Sequence, residues 1–249
     1  MYAVPWHYSA LTDERYETLL SPFQKENIPM IVQGAIKNWN WVAPNFVTSF
    51  ENTDVLIKAG KKYGAVGFIQ SGWTDDPLTL MRMGFPDIAY GCIASWQNDP
   101  VDRQNFFNVY AKTQYPAALA ETFAKGLNAL YLGESLISKA VGSTDPAMWA
   151  NPLTPAKQKM IESNKDNLHN GRIAVQDARI YFGEALKSGK DPATFTAFLA
   201  GAKMLDFIGL KYLYAGEIGS FWKRLNENPN QADFTLLISR EIRAKYHSR

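Results

Sequence analysis

Between residues 65 and 76 the chain passes from an apolar run, Ala65-Val66-Gly67-Phe68-Ile69, through Gln70, Ser71 and Gly72 into Trp73, Thr74, Asp75 and Asp76. Trp73 and Asp75 would set a flat apolar wall beside a hydrogen-bond acceptor. Sugars are held by such pairs, with an aromatic face against C–H groups and a carboxylate on hydroxyls. The same residues admit a structural reading, with Trp73 in a core and Asp76 capping a helix opened by Pro77. Two other stretches mix aromatic and polar groups after a short apolar run: Trp6-His7-Tyr8, and Lys37-Asn38-Trp39-Asn40-Trp41. Trp6 and His7 read equally well as pocket residues and as a buried tryptophan beside a structural histidine.

Such side chains act together only when the ends of regular elements bring them together. Residues 2–5, 29–36 and 65–69 read as short strands, the last bounded by Gly60 and Gly64. A helix follows each. The first is capped by Thr12 or Asp13, with Tyr16, Leu19, Leu20 and Phe23 on one side. The second begins near Pro44-Asn45, and the third spans about residues 78–96 with an interruption around Gly84 and Pro86. This alternation predicts parallel strands with right-handed crossovers, whose chemistry sits at the C-terminal strand ends. Three strands cannot close a barrel, which takes eight and roughly 250 residues. The expected class is therefore α/β: a partial (β/α) TIM-type barrel of about three strand-helix units over residues 1–100, with an α-helical bundle over residues 101–249.

The second half is read as helical throughout. Leu119, Phe123, Leu127 and Leu130 mark one amphipathic helix; Leu168, Val175, Phe182 and Ala185 mark a long one starting at Pro155. Another runs from Asp191-Pro192 to about residue 225, and a last one over residues 230–246 carries Phe234, Leu237, Ile238 and Ile242. Long amphipathic helices joined by short loops make antiparallel neighbours. His169 and Asp177 have no partners at metal-ligand spacing, and no phosphate-binding loop, dinucleotide fingerprint or nucleophile elbow occurs. No metal and no cofactor is expected.

The formal net charge over 249 residues is +2, without a basic block, so composition gives no support for nucleic-acid or anionic-membrane binding. No stretch reads as long enough to span a bilayer. The single cysteine, Cys92, sits among apolar neighbours and is expected to be buried and inert. The first ten residues lack the pattern of a signal peptide. Localisation stays open, with the periplasm or secretion following if a longer protein carries such a signal.

Four segments in order, Trp6-His7-Tyr8, NWNWVAPNF (38–46), GFIQSGWTDDP (67–77) and YGCIASWQ (90–97), resemble the later part of the glycoside hydrolase family 20-like proteins, the beta-N-acetylhexosaminidases. The resemblance covers about the first hundred residues. It implies that the three strands correspond to the sixth to eighth of that family's barrel. By the same resemblance, Trp73 stacks on the sugar and Asp75 bonds its distal hydroxyls, where the family more often has glutamate. The family's tyrosine and aspartate for the acetamido group have no match; Asn38, Trp39 and Asn40 stand there instead, and Trp6 and His7 border the pocket. In that family the acetamido oxygen attacks the anomeric carbon, assisted by an Asp-Glu pair that would fall before Met1.

No catalytic residue is therefore assigned, and the chain alone is expected not to hydrolyse glycosides. The expected partner is a carbohydrate, an amino sugar or related glycoside. Self-association, or pairing with an absent N-terminal half, would follow from a cut sheet. A non-catalytic carbohydrate-binding module or a helical interaction domain is the alternative.

Overall fold

The computed structural model describes residues 1–73 and 78–227. The elements run α1 (Asp13–Lys25), β1 (Ile31–Ala35), α2 (Phe46–Lys62), β2 (Gly67–Ser71), a 3-10 turn (Met81–Gly84), α3 (Phe85–Trp96), α4 (Phe106–Gln114), α5 (Ala117–Val141), α6 (Thr144–Trp149), α7 (Pro155–Ser163), α8 (Lys165–Lys187) and α9 (Pro192–Glu227). The helix expected over residues 230–246 lies outside the described residues.

The expected partial TIM-type barrel does not form. The protein is mostly helical, and among the described residues its sheet has two parallel strands, β1 and β2, with Ile31 opposite Gly67 and Ala35 opposite Ser71. The first expected strand is reduced to two isolated parallel bridges, Ala3 with Met30 and Trp6 with Gln33. Pro5 lies between those bridges and has no N–H to give a ladder, although its carbonyl accepts the Gln33 N–H at 3.0 Å.

Helices cover one face of this sheet. A Cβ on Gly60 of α2 would lie 2.9 Å from Val32, and one on Gly91 of α3 would lie 2.4 Å from the Gln70 side chain, so both helices touch the strands through glycine. Tyr16, Leu20, Met30, Val32 and Leu56 form a small core there. On the other face Gly67 and Ile69 are exposed and Ile31 and Gln33 half-buried.

The main core lies farther along the chain. It runs from Val42, Phe46 and Phe50 through Tyr90, Phe106 and Phe107 to Phe123, Phe182, Phe195 and Phe198, joining α2 and α3 to the helices that follow. Phe50 and Tyr90 stack at 3.8 Å between centroids. The reading of one helix from Pro155 to about Ser188 is corrected by a break at Asn164 between α7 and α8. α5 packs along α8, and α8 along α9.

From Pro192 to Leu225, α9 has the length and composition of a membrane-crossing helix, which the sequence reading did not find. About half of its most apolar window, 56%, is buried inside the fold, as in a core helix that is apolar on several sides. Asp206 on this helix accepts from Arg172 Nε at 2.9 Å and from Arg179, both on α8.

Candidate functional site: an aromatic rim at the C-terminal end of the sheet

Parallel segments deliver their C-terminal ends to the same rim. The N-terminal segment, β1 and β2 run in one direction, so Trp6-His7-Tyr8, Lys37-Asn38-Trp39 and Trp73 arrive together. Tyr8 is the hub. Its ring centroid lies 5.0 Å from that of Trp6, 5.5 Å from Trp39 and 6.0 Å from Trp73. Trp39 meets Tyr8 edge-on, with an interplanar angle of 63°. Trp6 is 59% and Trp73 40% exposed, so indole surface remains open to solvent on this rim.

Hydrogen bonds hold the backbone that carries the rings. The Trp73 backbone N–H donates to Asn38 Oδ1 at 3.3 Å, and Asn38 is buried. The Ile36 N–H donates to the Ser71 carbonyl at 2.8 Å, extending the ladder to the rim. The loop after Asn38 is held from the helical side. Asn40 adopts φ 62° and its carbonyl accepts the Asp145 N–H at 3.1 Å; Thr144 Oγ accepts the Val42 N–H at 3.0 Å. Asparagine tolerates this left-handed conformation better than most residues. The helix α6 thus anchors the segment that presents Trp39.

Lys37 Nζ lies 4.2 Å from the centre of the Trp39 ring, a cation–π contact, and burial holds the lysine pKa below its ordinary value. His7 is tied into its own turn: Nδ1 lies 2.8 Å from the Ser9 carbonyl, and the His7 carbonyl accepts Asn52 Nδ2–H at 3.1 Å. Asn40 is exposed at the border of the rim. Asp75 lies outside the described residues.

Beneath the rim a few polar side chains lie between the sheet and α2 and α3. Ser49 Oγ–H donates to Asp87 Oδ1 at 2.6 Å, and Thr53 approaches Gln70 Oε1 at 3.5 Å. Asp87 is fully buried, and burial pushes its pKa up to about 8 despite the serine. Asp87 Oδ2, Asn52 Oδ1 and Gln70 Nε2 are buried without a partner. Asp87 is closed off from solvent between helices, and burial favours its neutral form.

The structure thus brings Trp6, Trp39, Trp73 and Asn38 together, and sets His7 and Asn40 at the margin. Sequence reasoning named Tyr8 and Lys37 within their stretches but gave neither a role in the site. Tyr8 lies two residues after Trp6 and so shares its side in an extended segment, a signal already present in the chain. A cleft toward the other end of the sheet, lined by Val32, Gly60, Ala65, Gly67, Phe68 and Ser95, has no comparable set of rings. Three indoles around a tyrosine, with an ammonium and an amide beside them, can hold a molecule that has both a flat apolar face and hydroxyls.

Replacing Asn38 by alanine should leave the Trp73 N–H without its acceptor, at a cost of about 1–2 kcal/mol. Urea unfolding checks this; a change below a few tenths would mean that the bond is not made in solution.

No family model matches this chain, and no curated protein matches it.

Proposed function

We propose that the rim binds a carbohydrate, an amino sugar or related glycoside, with Trp73 as the stacking platform and Tyr8, Trp6 and Trp39 around it. The observation that carries this reading is the convergence of three tryptophans, from three stretches far apart in sequence, on one tyrosine with indole surface left exposed. Aromatic faces meet sugar C–H groups at little entropic cost, and the Asn38 bond at the base of Trp73 pre-orients the ring.

By the resemblance to beta-N-acetylhexosaminidases, the rim is part of the sugar subsite of a glycoside hydrolase, with Asp75 on the distal hydroxyls. The chain contributes binding and not the Asp-Glu pair of that family. Sugar binding by the purified chain, lost in Trp73→Ala and Tyr8→Ala, together with no turnover of an aryl N-acetylglucosaminide, is the expected result. Turnover that disappears in Asp75→Ala would overturn the division of labour, and absence of any sugar binding would overturn the subsite.

A second reading, a module for protein contacts, is favoured by an observation away from the rim: Trp96 at the end of α3 is 90% exposed.

A further inference from the structure

We propose that β2 and α3 form one self-complementary face through which two copies of this chain associate about a two-fold axis. Among the described residues no strand pairs with the outer edge of β2, and its sequence, Gly67-Phe68-Ile69-Gln70-Ser71, holds no charge and no proline. Protected edges carry lysine, proline or a bulge; an uncharged open edge is a template for pairing.

The helix over that strand has a matching defect. Asp87, Tyr90, Gly91 and Ala94 of α3 are buried, on the side where Asp87 meets Ser49 of α2 and Gly91 meets Gln70 of β2. Phe85, Ile88, Cys92 and Trp96 recur at spacings of three and four residues and are all exposed, at 43%, 36% and 90% for the three large side chains. A helix that is apolar on both sides needs a second partner.

A single two-fold axis beside β2 serves both features. It sets β2 antiparallel to the partner's β2 and brings α3 alongside the partner's α3 on the same face of the joined sheet, the isologous arrangement of most dimers. From residue 83 to 98 the only charged residue is Asp87, which is buried, and none occurs from 65 to 73; the Lys61 ammonium, which donates to the Gln97 carbonyl, is a charge at the end of this otherwise uncharged face. With fully exposed side chains taken at roughly 150–250 Å², the exposed parts of Phe85, Ile88, Ile93, Trp96 and Val66 come to on the order of 500 Å². The strand edge adds to this, which approaches the roughly 800 Å² per partner of a stable interface.

Sedimentation equilibrium of the full chain across the micromolar range tests the proposal. A dimer is expected, weakened about tenfold or more by Trp96→Glu and by Ile88→Glu, with circular dichroism unchanged in both. Because Cys92 is the only cysteine and lies on the stripe, a short bismaleimide should link wild-type copies into a covalent dimer and leave Trp96→Glu largely unlinked. A wild type that stays monomeric throughout the range would overturn the proposal and assign the face to a different polypeptide. A dimer that survives both substitutions would overturn it too, by placing the contact elsewhere.

Discussion

Replacing Asp87 by asparagine is expected to stabilise the protein at neutral pH and to leave it nearly unchanged near pH 4. The side chain is fully buried, its pKa is raised from 3.8 to about 8, and one of its oxygens lacks a partner. As pH rises, the unfolded chain gives up this proton before the folded chain does. Stability from this group therefore falls between about pH 4 and pH 8 and levels off above. At pH 7, about three pH units above the unfolded value, the penalty is about 4 kcal/mol. Glu134 on α5 adds to the trend with the same sign, since burial outweighs the nearby Ser138 hydroxyl and raises its pKa well above the usual carboxylate value. Urea unfolding of wild type and Asp87→Asn at several pH values reads the effect as a widening gap. A gap that stays constant with pH would mean that Asp87 is ionised in the fold.

Gly133→Ala should be among the most damaging single-methyl additions. A Cβ there would lie 2.4 Å from Val175 Cγ2 and 2.9 Å from the Gly171 carbonyl oxygen, and backbone cannot step aside as a side chain can. Gly171 returns the contact, with its own Cβ position 2.8 Å from Ile137, so α5 and α8 cross backbone to backbone. Separating them costs about 2–3 kcal/mol, or a melting temperature lower by roughly 5–10 °C. Gly183 on α8 is the control: a Cβ there meets nothing within 4 Å, and alanine should stabilise by roughly 0.5–1 kcal/mol. Equal melting temperatures for the two variants would contradict this crossing.

The helices were the most legible part of the chain, because their signals are local. Thr12-Asp13, Pro44-Asn45, Pro116 and Asp191-Pro192 each lie within two residues of a helix start. The break at Asn164 has no proline or glycine to mark it, and α6, although Gly142-Ser143 and Asp145-Pro146 mark its start, is only six residues long. The barrel reading failed because strand recognition rested on short apolar runs. Residues 2–5 are such a run, yet Pro5 prevents a continuous ladder. Cys92 was misplaced for a related reason: apolar neighbours in sequence were taken to mean burial, but here they form the exposed side of α3. The rim was legible in part. Trp6, Trp39 and Trp73 could be named from three similar strand ends, whereas the position of Tyr8 between them depends on how the parallel segments pair.

The most direct test is calorimetric titration of the full chain with the disaccharide of N-acetylglucosamine, beside Trp73→Ala. Saturable binding by the wild type, lost in the variant with its melting temperature preserved, is the predicted result. No heat from this disaccharide, or binding equally strong in Trp73→Ala, would contradict the assignment of the rim as a sugar subsite.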